Sequence, residues 1–252
     1  MSAILVTGGT GTLGRLVVDR LRAADHEVRV LSRNVPAGAL SSPVDLREGT
    51  GLDAALAGAE VIVHCASSPR GGDDVAAGHL IEAAKRAGVG HLVYISIVGV
   101  DVVPLPYYKV KLKVERMLAE SGLGVTILRT TQFHDLVAQA LAAVAKLPVM
   151  PLPAGVSGQP IAVEEVADRL AELAAGPPAG RVADMGGPQV LTFEHVARAY
   201  LAATGRRRRI VSLPLPGKTY AGFKRGGHLA PAHAVGRGTF AEFLARRAAD
   251  GR

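Results

Sequence analysis

Tyr107 and Lys111 stand four residues apart. On a helix that spacing puts both side chains on one face. The pair suits carbonyl reduction, in which a tyrosine hydroxyl gives a proton to an oxygen as hydride reaches the neighbouring carbon. A free phenol has a pKa of about 10. An ammonium beside it favours the phenolate and brings the group toward working pH. Ser96 closes an apolar run before this helix and offers a hydroxyl to a substrate oxygen. Tyr108 is a rival proton donor. Tyr107 also has a plainer reading, packing under a loop that carries Pro104 and Pro106.

Hydride chemistry needs a cofactor, and a second motif supplies its cradle. Thr7-Gly8-Gly9-Thr10-Gly11-Thr12-Leu13-Gly14 follows an apolar run and opens an amphipathic segment. Glycines in that context let the backbone turn tightly against a pyrophosphate, and the helix start supplies free N–H groups and partial positive charge. An NAD site wants Asp or Glu at the end of the second strand, bonding the ribose 2′-hydroxyl. Here Ser32 takes that place and Arg33 follows. A guanidinium pairs with a 2′-phosphate that a carboxylate repels, so the expected cofactor is NADP(H) rather than NAD(H). The alternatives for Arg33 are stacking on adenine and a solvated loop position.

The elements that must position these residues alternate regularly. Ala3–Thr7 reads as a buried strand, Thr12–Ala24 as a helix with Leu13, Val17, Leu21 and Ala24 at helical spacing, and Glu27–Ser32 as a second strand. Strands at Glu60–Cys65, His91–Ser96 and Val125–Arg129 then alternate with helices at Asp73–Ala87, Tyr108–Ser121 and Phe133–Ala145. This pattern predicts an α/β fold, a Rossmann-type doubly wound parallel sheet with right-handed crossovers. After Leu147, prolines and glycines become frequent. Helices at Val163–Ala174 and Thr192–Thr204 and a strand near Ile210–Leu213 follow. Residues 1–150 are expected to form the dinucleotide-binding core. Residues 151–252 are expected to form a smaller substrate cap packed on it.

Composition narrows the function classes. The 252 residues are 48% hydrophobic and 20% charged, which excludes disorder for most of the chain. Aromatics are 4% and Trp is absent, against a base-stacking surface for single-stranded nucleic acid. One cysteine, Cys65, allows neither an internal disulfide nor a Cys-based zinc site, and the eight histidines show no metal-ligand spacing. No metal is expected. Cys65 reads as an inert packed thiol, and His64 and His134 as structural histidines with an acid role as the alternative. Gly155-Val156-Ser157-Gly158 does not match a serine nucleophile elbow. The start lacks a basic signal region, and Leu136–Val156 is broken by polar residues and prolines. A cytoplasmic protein without a membrane or nucleic-acid partner is therefore expected, as a monomer or homodimer. Residues 181–252 hold 13 basic and 4 acidic side chains, a balance of +9 against −2 for the rest. That excess, including Arg206–Arg209, is either a solvated face or an attraction for an anionic or carrier-bound substrate.

Several segments together resemble a known group. These are the glycine turn, Val30-Leu31-Ser32-Arg33, Tyr94-Ile95-Ser96-Ile97-Val98-Gly99-Val100-Asp101 and Tyr107-Tyr108-Lys109-Val110-Lys111, followed by Leu128-Arg129-Thr130-Thr131-Gln132-Phe133. Gln159-Pro160-Ile161-Ala162-Val163 and Gly236-Arg237-Gly238-Thr239-Phe240 fit as well. The chain resembles the atypical short-chain dehydrogenases/reductases of the NmrA-like, NAD(P)H-binding group over nearly its whole length. The resemblance implies that Thr10, Gly11, Thr12 and Leu13 line the pyrophosphate and Arg33 the adenosine phosphate. It also places Asp45 and Leu46 by adenine, Ala66 and Ser67 by the nicotinamide ribose, and Gln132 and Phe133 beside nicotinamide and substrate. A role for Lys111 in holding the nicotinamide ribose rests on the same resemblance. Packing in the core is the other reading of Phe133. Two positions depart from the pattern: Thr130 stands where many relatives have proline, and Ile97 where a second Ser or Thr is common. The function implied is NADP(H)-dependent reduction of a carbonyl or conjugated double bond of a small organic molecule. The group also holds dinucleotide-sensing regulators without turnover. An epimerase or dehydratase using bound NAD(P) is the third alternative.

Overall fold

The computed structural model describes residues 2–32, 41–68 and 71–249. The chain runs β1 (Ala3–Thr7), α1 (Thr12–Ala23), β2 (Glu27–Ser32), β3 (Ser41–Pro43), α2 (Leu52–Leu56), β4 (Val61–His64), α3 (Asp73–Ala87), β5 (His91–Ile97), α4 (Pro106–Ala119), β6 (Val125–Thr130) and α5 (His134–Val144). It continues through β7 (Val149–Pro153), β8 (Ser157–Gly158), α6 (Val163–Ala175), β9 (Gly180–Arg181), β10 (Leu191–Thr192), α7 (Phe193–Ala203), β11 (Arg209–Leu213), α8 (Lys218–Lys224) and α9 (Phe240–Ala249). No helix among the described residues is long and apolar enough to cross a membrane.

These elements divide into two compact units. The first holds Met1–Ser96, Pro106–Arg129 and Val166–Ala183; the second holds Ile97–Leu105, Thr130–Glu165 and Asp184–Arg252. A single cut at residue 150 does not describe this division. The reason is topological: after leaving β6 the chain returns through α6 to add β9 to the first unit's sheet, so each unit is built from three separate segments.

The first unit is a Rossmann-type sheet in the order β3-β2-β1-β4-β5-β6-β9. β1 pairs in parallel with both β2 and β4, and β4 with β5. Strands covered on both faces read as near-continuous apolar runs, and Val61–His64 is buried throughout, with His64 its one polar residue. Leu5, Ile62, Leu80, Leu92, Tyr94 and Leu118 form the centre of the core. Helix α4 buries Tyr108, Lys111, Val114, Glu115 and Leu118, a single stripe that carries two charged residues inward. The order of connections reverses between β1 and β4, and open parallel sheets bind ligands at the carboxyl ends of strands at such a point.

The second unit has its own core of Leu141, Met150, Leu152, Val196, Tyr200, Phe240 and Leu244. β11 pairs in parallel with β7, and β10 is antiparallel to β8. Arg206, Arg207, Arg208 and Arg209 are exposed. Arg208 Nε donates to the Ala145 carbonyl at 3.1 Å.

Candidate functional site

Glycine sets the backbone where β1 meets α1. Gly8 has φ +66°, and a Cβ there would lie 2.8 Å from the Ala66 backbone. A Cβ on Gly14 would lie 2.2 Å from the Gly8 carbonyl oxygen. Any side chain at either position would displace main chain, so the turn can close only with glycine. Gly11 is the extended N-cap residue of α1; no side chain caps this helix, and its first turn holds no acid. The first N–H groups are thus left for an anion.

The ends of β1 and β4 are stitched together beside this turn. Thr7 Oγ1 lies 2.7 Å from His64 Nδ1 and accepts from the Ala66 N–H at 3.3 Å. Burial lowers the His64 pKa to about 3, with a smaller contribution from the Lys111 charge, so the ring is neutral and structural. Burial pushes the Cys65 thiol up to about 12, which makes it a poor nucleophile.

A cleft of about 300 Å³ opens at this point, in the first unit. Of the residues expected from sequence, Gly8, Thr10, Gly11, Ser32, Asp45, Leu46, Ala66 and Ser67 line it. Thr10 Oγ1 and Ser32 Oγ are 3.0 Å apart, bridging the turn to the end of β2. Thr12, Leu13 and Gly14 lie in the first turn of α1 behind the lining. Arg33 lies outside the described residues. The cleft also holds Arg47, which sequence reasoning missed. Its guanidinium donates to Ser68 Oγ at 3.1 Å and to the Gly71 carbonyl, and its own N–H donates to Asp45 Oδ1 at 2.8 Å.

Tyr107 and Lys111 open α4, and their surroundings differ from the expectation. Lys111 is 3% exposed. Its Nζ donates to the Ile95 carbonyl at 3.3 Å and stands 4.8 Å from the centre of the Tyr94 ring. Burial lowers its pKa to about 8, against the pull of Asp73, Cys65 and Glu115. The Tyr107 hydroxyl lies 2.6 Å from Ser67 Oγ, and Ser67 donates to Asp73 Oδ2 at 2.6 Å. Burial raises the Tyr107 pKa; the Ser67 bond opposes this and the Asp73 charge adds to it. The expected lowering by Lys111 is therefore overturned: the ammonium lies 5.9 Å from the ring centre, and the charge that acts on the phenol is a carboxylate. Tyr108 is 3% exposed and belongs to the core, which removes it as the rival donor.

Ser96 is corrected as well. It is 1% exposed, and its hydroxyl donates to Glu115 Oε1. Glu115 in turn accepts from Arg129 Nε at 2.9 Å and Nη2 at 2.6 Å. A buried hydroxyl must find a partner. This one finds a carboxylate inside the core, so it is not offered to a substrate. Asp73, Glu115 and Arg129 were missed as members of these networks. The only sequence signal was acidic or basic residues on otherwise apolar stripes.

Gln132 and Phe133 belong to the second unit and are half-buried. The Gln132 carbonyl accepts from Ile161 N–H at 2.9 Å, and Phe133 is the N-cap residue of α5. His134 is fully buried against Phe240 and Phe243, and burial lowers its pKa.

A glycine turn, an uncapped helix start and a cleft at the reversal point of a parallel sheet define a dinucleotide-binding protein. Residues 8–177 match the NAD(P)H-binding family, and the chain belongs to it. Its cofactor is thus an NAD(P)H dinucleotide, and the Gly8–Gly14 cradle fits the pyrophosphate.

Curated relatives include quinone oxidoreductase 2 of Escherichia coli, 31% identical over 141 residues, covering 52% of this chain and 49% of that protein. This match thus spans about half the relative's length. The NAD(P)H azoreductase of Xenophilus azovorans is 31% identical over 224 residues, 84% of this chain and 77% of that one. Among solved structures, the NADPH-dependent quinone oxidoreductase of Escherichia coli complexed with NADPH superposes with a TM-score of 0.82 at 24% identity, covering 97% of this chain and 99% of that one. The triphenylmethane reductase of Citrobacter sp. complexed with NADP(H) gives 0.78 at 20% identity, covering 98% and 99%. At these identities the structural likeness is one of fold.

Proposed function

We propose that the protein is an NADPH-dependent reductase of a small conjugated organic acceptor, of the quinone class. Gly8, Thr10, Gly11, Thr12, Leu13 and Gly14 would hold the pyrophosphate, Ser32 and Arg33 the adenosine phosphate, and Asp45 and Leu46 the adenine. Ala66, Ser67 and Lys111 would hold the nicotinamide ribose. When bound, the cofactor supplies a hydride, carrying two electrons. The choice of NADPH rests on the sequence at the end of β2, where no carboxylate stands to repel a 2′-phosphate.

The observation that carries the choice of acceptor is the bond between Tyr107 and Ser67. A simple ketone or aldehyde becomes a strongly basic alkoxide and calls for a poised acid. Here the phenol is already engaged, its pKa is raised, and Ser96 is buried in an ion-pair network. A quinone becomes a weakly basic hydroquinone anion that water can protonate. Relatives named for quinone and azo substrates, and a fold neighbour named for a triphenylmethane dye, are consistent with an extended π acceptor.

The test is NADPH oxidation followed by absorbance with a panel of quinones, enones, aldehydes and ketones. Quinones are expected to lead the panel. Tight NADPH binding with no oxidation across it would turn the reading to a dinucleotide sensor. A bound cofactor that returns to its starting redox state would turn it to an epimerase-type enzyme.

A further inference from the structure

Three groups in the first unit form a chain with a fixed direction. Asp73, at the first position of α3, is 6% exposed and accepts twice: Oδ1 from the Ser68 N–H at 2.8 Å and Oδ2 from the Ser67 hydroxyl at 2.6 Å. A serine hydroxyl has one proton. Committed to Asp73, that proton leaves Ser67 Oγ only as an acceptor toward Tyr107, 2.6 Å away. Tyr107 must therefore donate, and its single proton points at Ser67. What the phenol leaves for a ligand is its lone pairs.

We propose that Asp73 is a positioning residue that sets substrate class: acting through Ser67, it keeps the Tyr107 proton turned away from the acceptor. The inference rests on the reductase reading given above and deepens it. Reduction of an aldehyde by hydride breaks the C=O π bond and leaves an alkoxide; its new O–H bond would come from the Tyr107 hydroxyl, with the phenolate reprotonated from solvent. The chain withholds that proton. Quinone reduction leaves a hydroquinone anion that is protonated by water, so it proceeds with the chain intact.

Asp73→Asn should reverse the chain. An Asn side chain can keep its oxygen toward the Ser68 N–H and then presents an NH₂ to Ser67 Oγ. Ser67 must then donate to Tyr107, and the Tyr107 proton becomes free for a ligand. Among the described residues, the titratable groups facing Tyr107 are Asp73 from α3, Lys111 one turn along α4 and Tyr94 from β5. Of these, only Asp73 changes.

The experiment has two readouts. The first is the ultraviolet phenolate titration of Tyr107, isolated by subtracting Tyr107→Phe; absence of Trp and a total of five Tyr keep the background low. Asp73→Asn should move the Tyr107 ionisation to lower pH, because a negative charge is lost and Ser67 now donates to the phenolate. Ser67→Ala, which removes the link, should also move it, and combined with Asp73→Asn should give less than the sum of the two shifts; it serves as the second variant should Asp73→Asn fold poorly.

The second readout is the ratio of kcat/KM for an aldehyde to that for a quinone. It should rise about tenfold or more in Asp73→Asn, and the added Tyr107→Phe change should cancel the rise. A titration unmoved by both substitutions overturns the proposal whatever the activity. A shifted titration with an unchanged ratio overturns the claim on substrate class. If no variant oxidises NADPH with either acceptor but the titration shifts, the reductase reading falls while the chain's polarity stands.

Discussion

Glu115 and Arg129 form a two-bond ion pair inside the core of the first unit, with side-chain exposures of 7% and 6%. The pair ties α4, which carries Tyr107 and Lys111, to β6. Ser96 on β5 adds a third bond to the same carboxylate. Breaking a buried pair from one side leaves an uncompensated charge. Arg129→Met should therefore cost about 3–5 kcal/mol, read by urea denaturation. The double variant with Glu115→Leu should recover part of that loss. Ser96→Ala should cost less, about 1.5–3 kcal/mol, the worth of one hydrogen bond to a charged group.

Gly14→Ala should abolish dinucleotide binding. Its Cβ would lie 2.2 Å from the Gly8 carbonyl oxygen, closer than any non-bonded contact permits, so the turn must open. NADPH fluorescence on titration with protein is the measurement. Retained affinity in the Ala variant would mean that the pyrophosphate is held elsewhere.

The ease of reading this chain varied with how local the cause was. β1, β2 and α3 begin and end where the pattern of apolar residues places them: β1 is a buried run ending at Gly8, β2 carries apolar residues at Val28, Val30 and Leu31, and α3 is an amphipathic helix between Gly72 and Gly88. β7 was not legible: Val149–Pro153 contains two prolines, and it is a strand only because β11 pairs with it. Two-residue β9 follows from its place beside β6, a tertiary effect. The site divides in the same way. The glycine turn is a local signal and was read directly. Ser96 was misread because its partner lies 19 residues away in sequence, and the Ser67–Tyr107 bond spans 40 residues. No spacing rule reaches such contacts. The sign of the Tyr107 shift was missed because its largest cause is burial, a tertiary effect, to which the charge of Asp73 on a different helix adds.

Arg33→Ala should separate the two coenzymes. If the guanidinium pairs with the 2′-phosphate, NADPH affinity falls by about 1.5–3 kcal/mol, roughly ten- to a hundredfold. NADH affinity should barely change. Equal losses for both would point to stacking on adenine. Arg47, which lines the same cleft, is the control: its loss should not discriminate between the coenzymes.

His64 should contribute to acid unfolding. Its folded pKa of about 3 lies below the unfolded value of 6.5, so the unfolded chain binds the extra proton between those limits. Stability is then full above pH 6.5 and is lost as pH falls toward 3, by up to about 5 kcal/mol. His64→Asn keeps a group able to bond Thr7 but does not titrate. It should start from a lower Tm, having lost the stacking on Tyr94, and should show a shallower fall in Tm between pH 6.5 and 4.5. Parallel pH curves for the two proteins would show that the acid limb comes from other groups.

Lys111 should produce two opposite pH trends. Its folded pKa of about 8 lies below the ordinary 10.5, so between those values the unfolded chain binds more protons and stability rises with pH. Below pH 8 the buried ammonium is a standing cost of about 3 kcal/mol. Lys111→Met fills similar space without charge, so it should be the more stable protein at pH 7, and the gap should close as pH approaches 10.5. The cost is retained because the ammonium is needed, as a donor to the nicotinamide ribose in the reading above. Wild-type affinity for NADPH should therefore fall as pH passes 8, on the order of tenfold from pH 7 to 9. The Met variant should bind weakly and with little dependence on pH in that range. Denaturation and NADPH titration at matched pH values give both curves. A Met variant that is more stable and binds NADPH as well as wild type would show that Lys111 does not hold the cofactor.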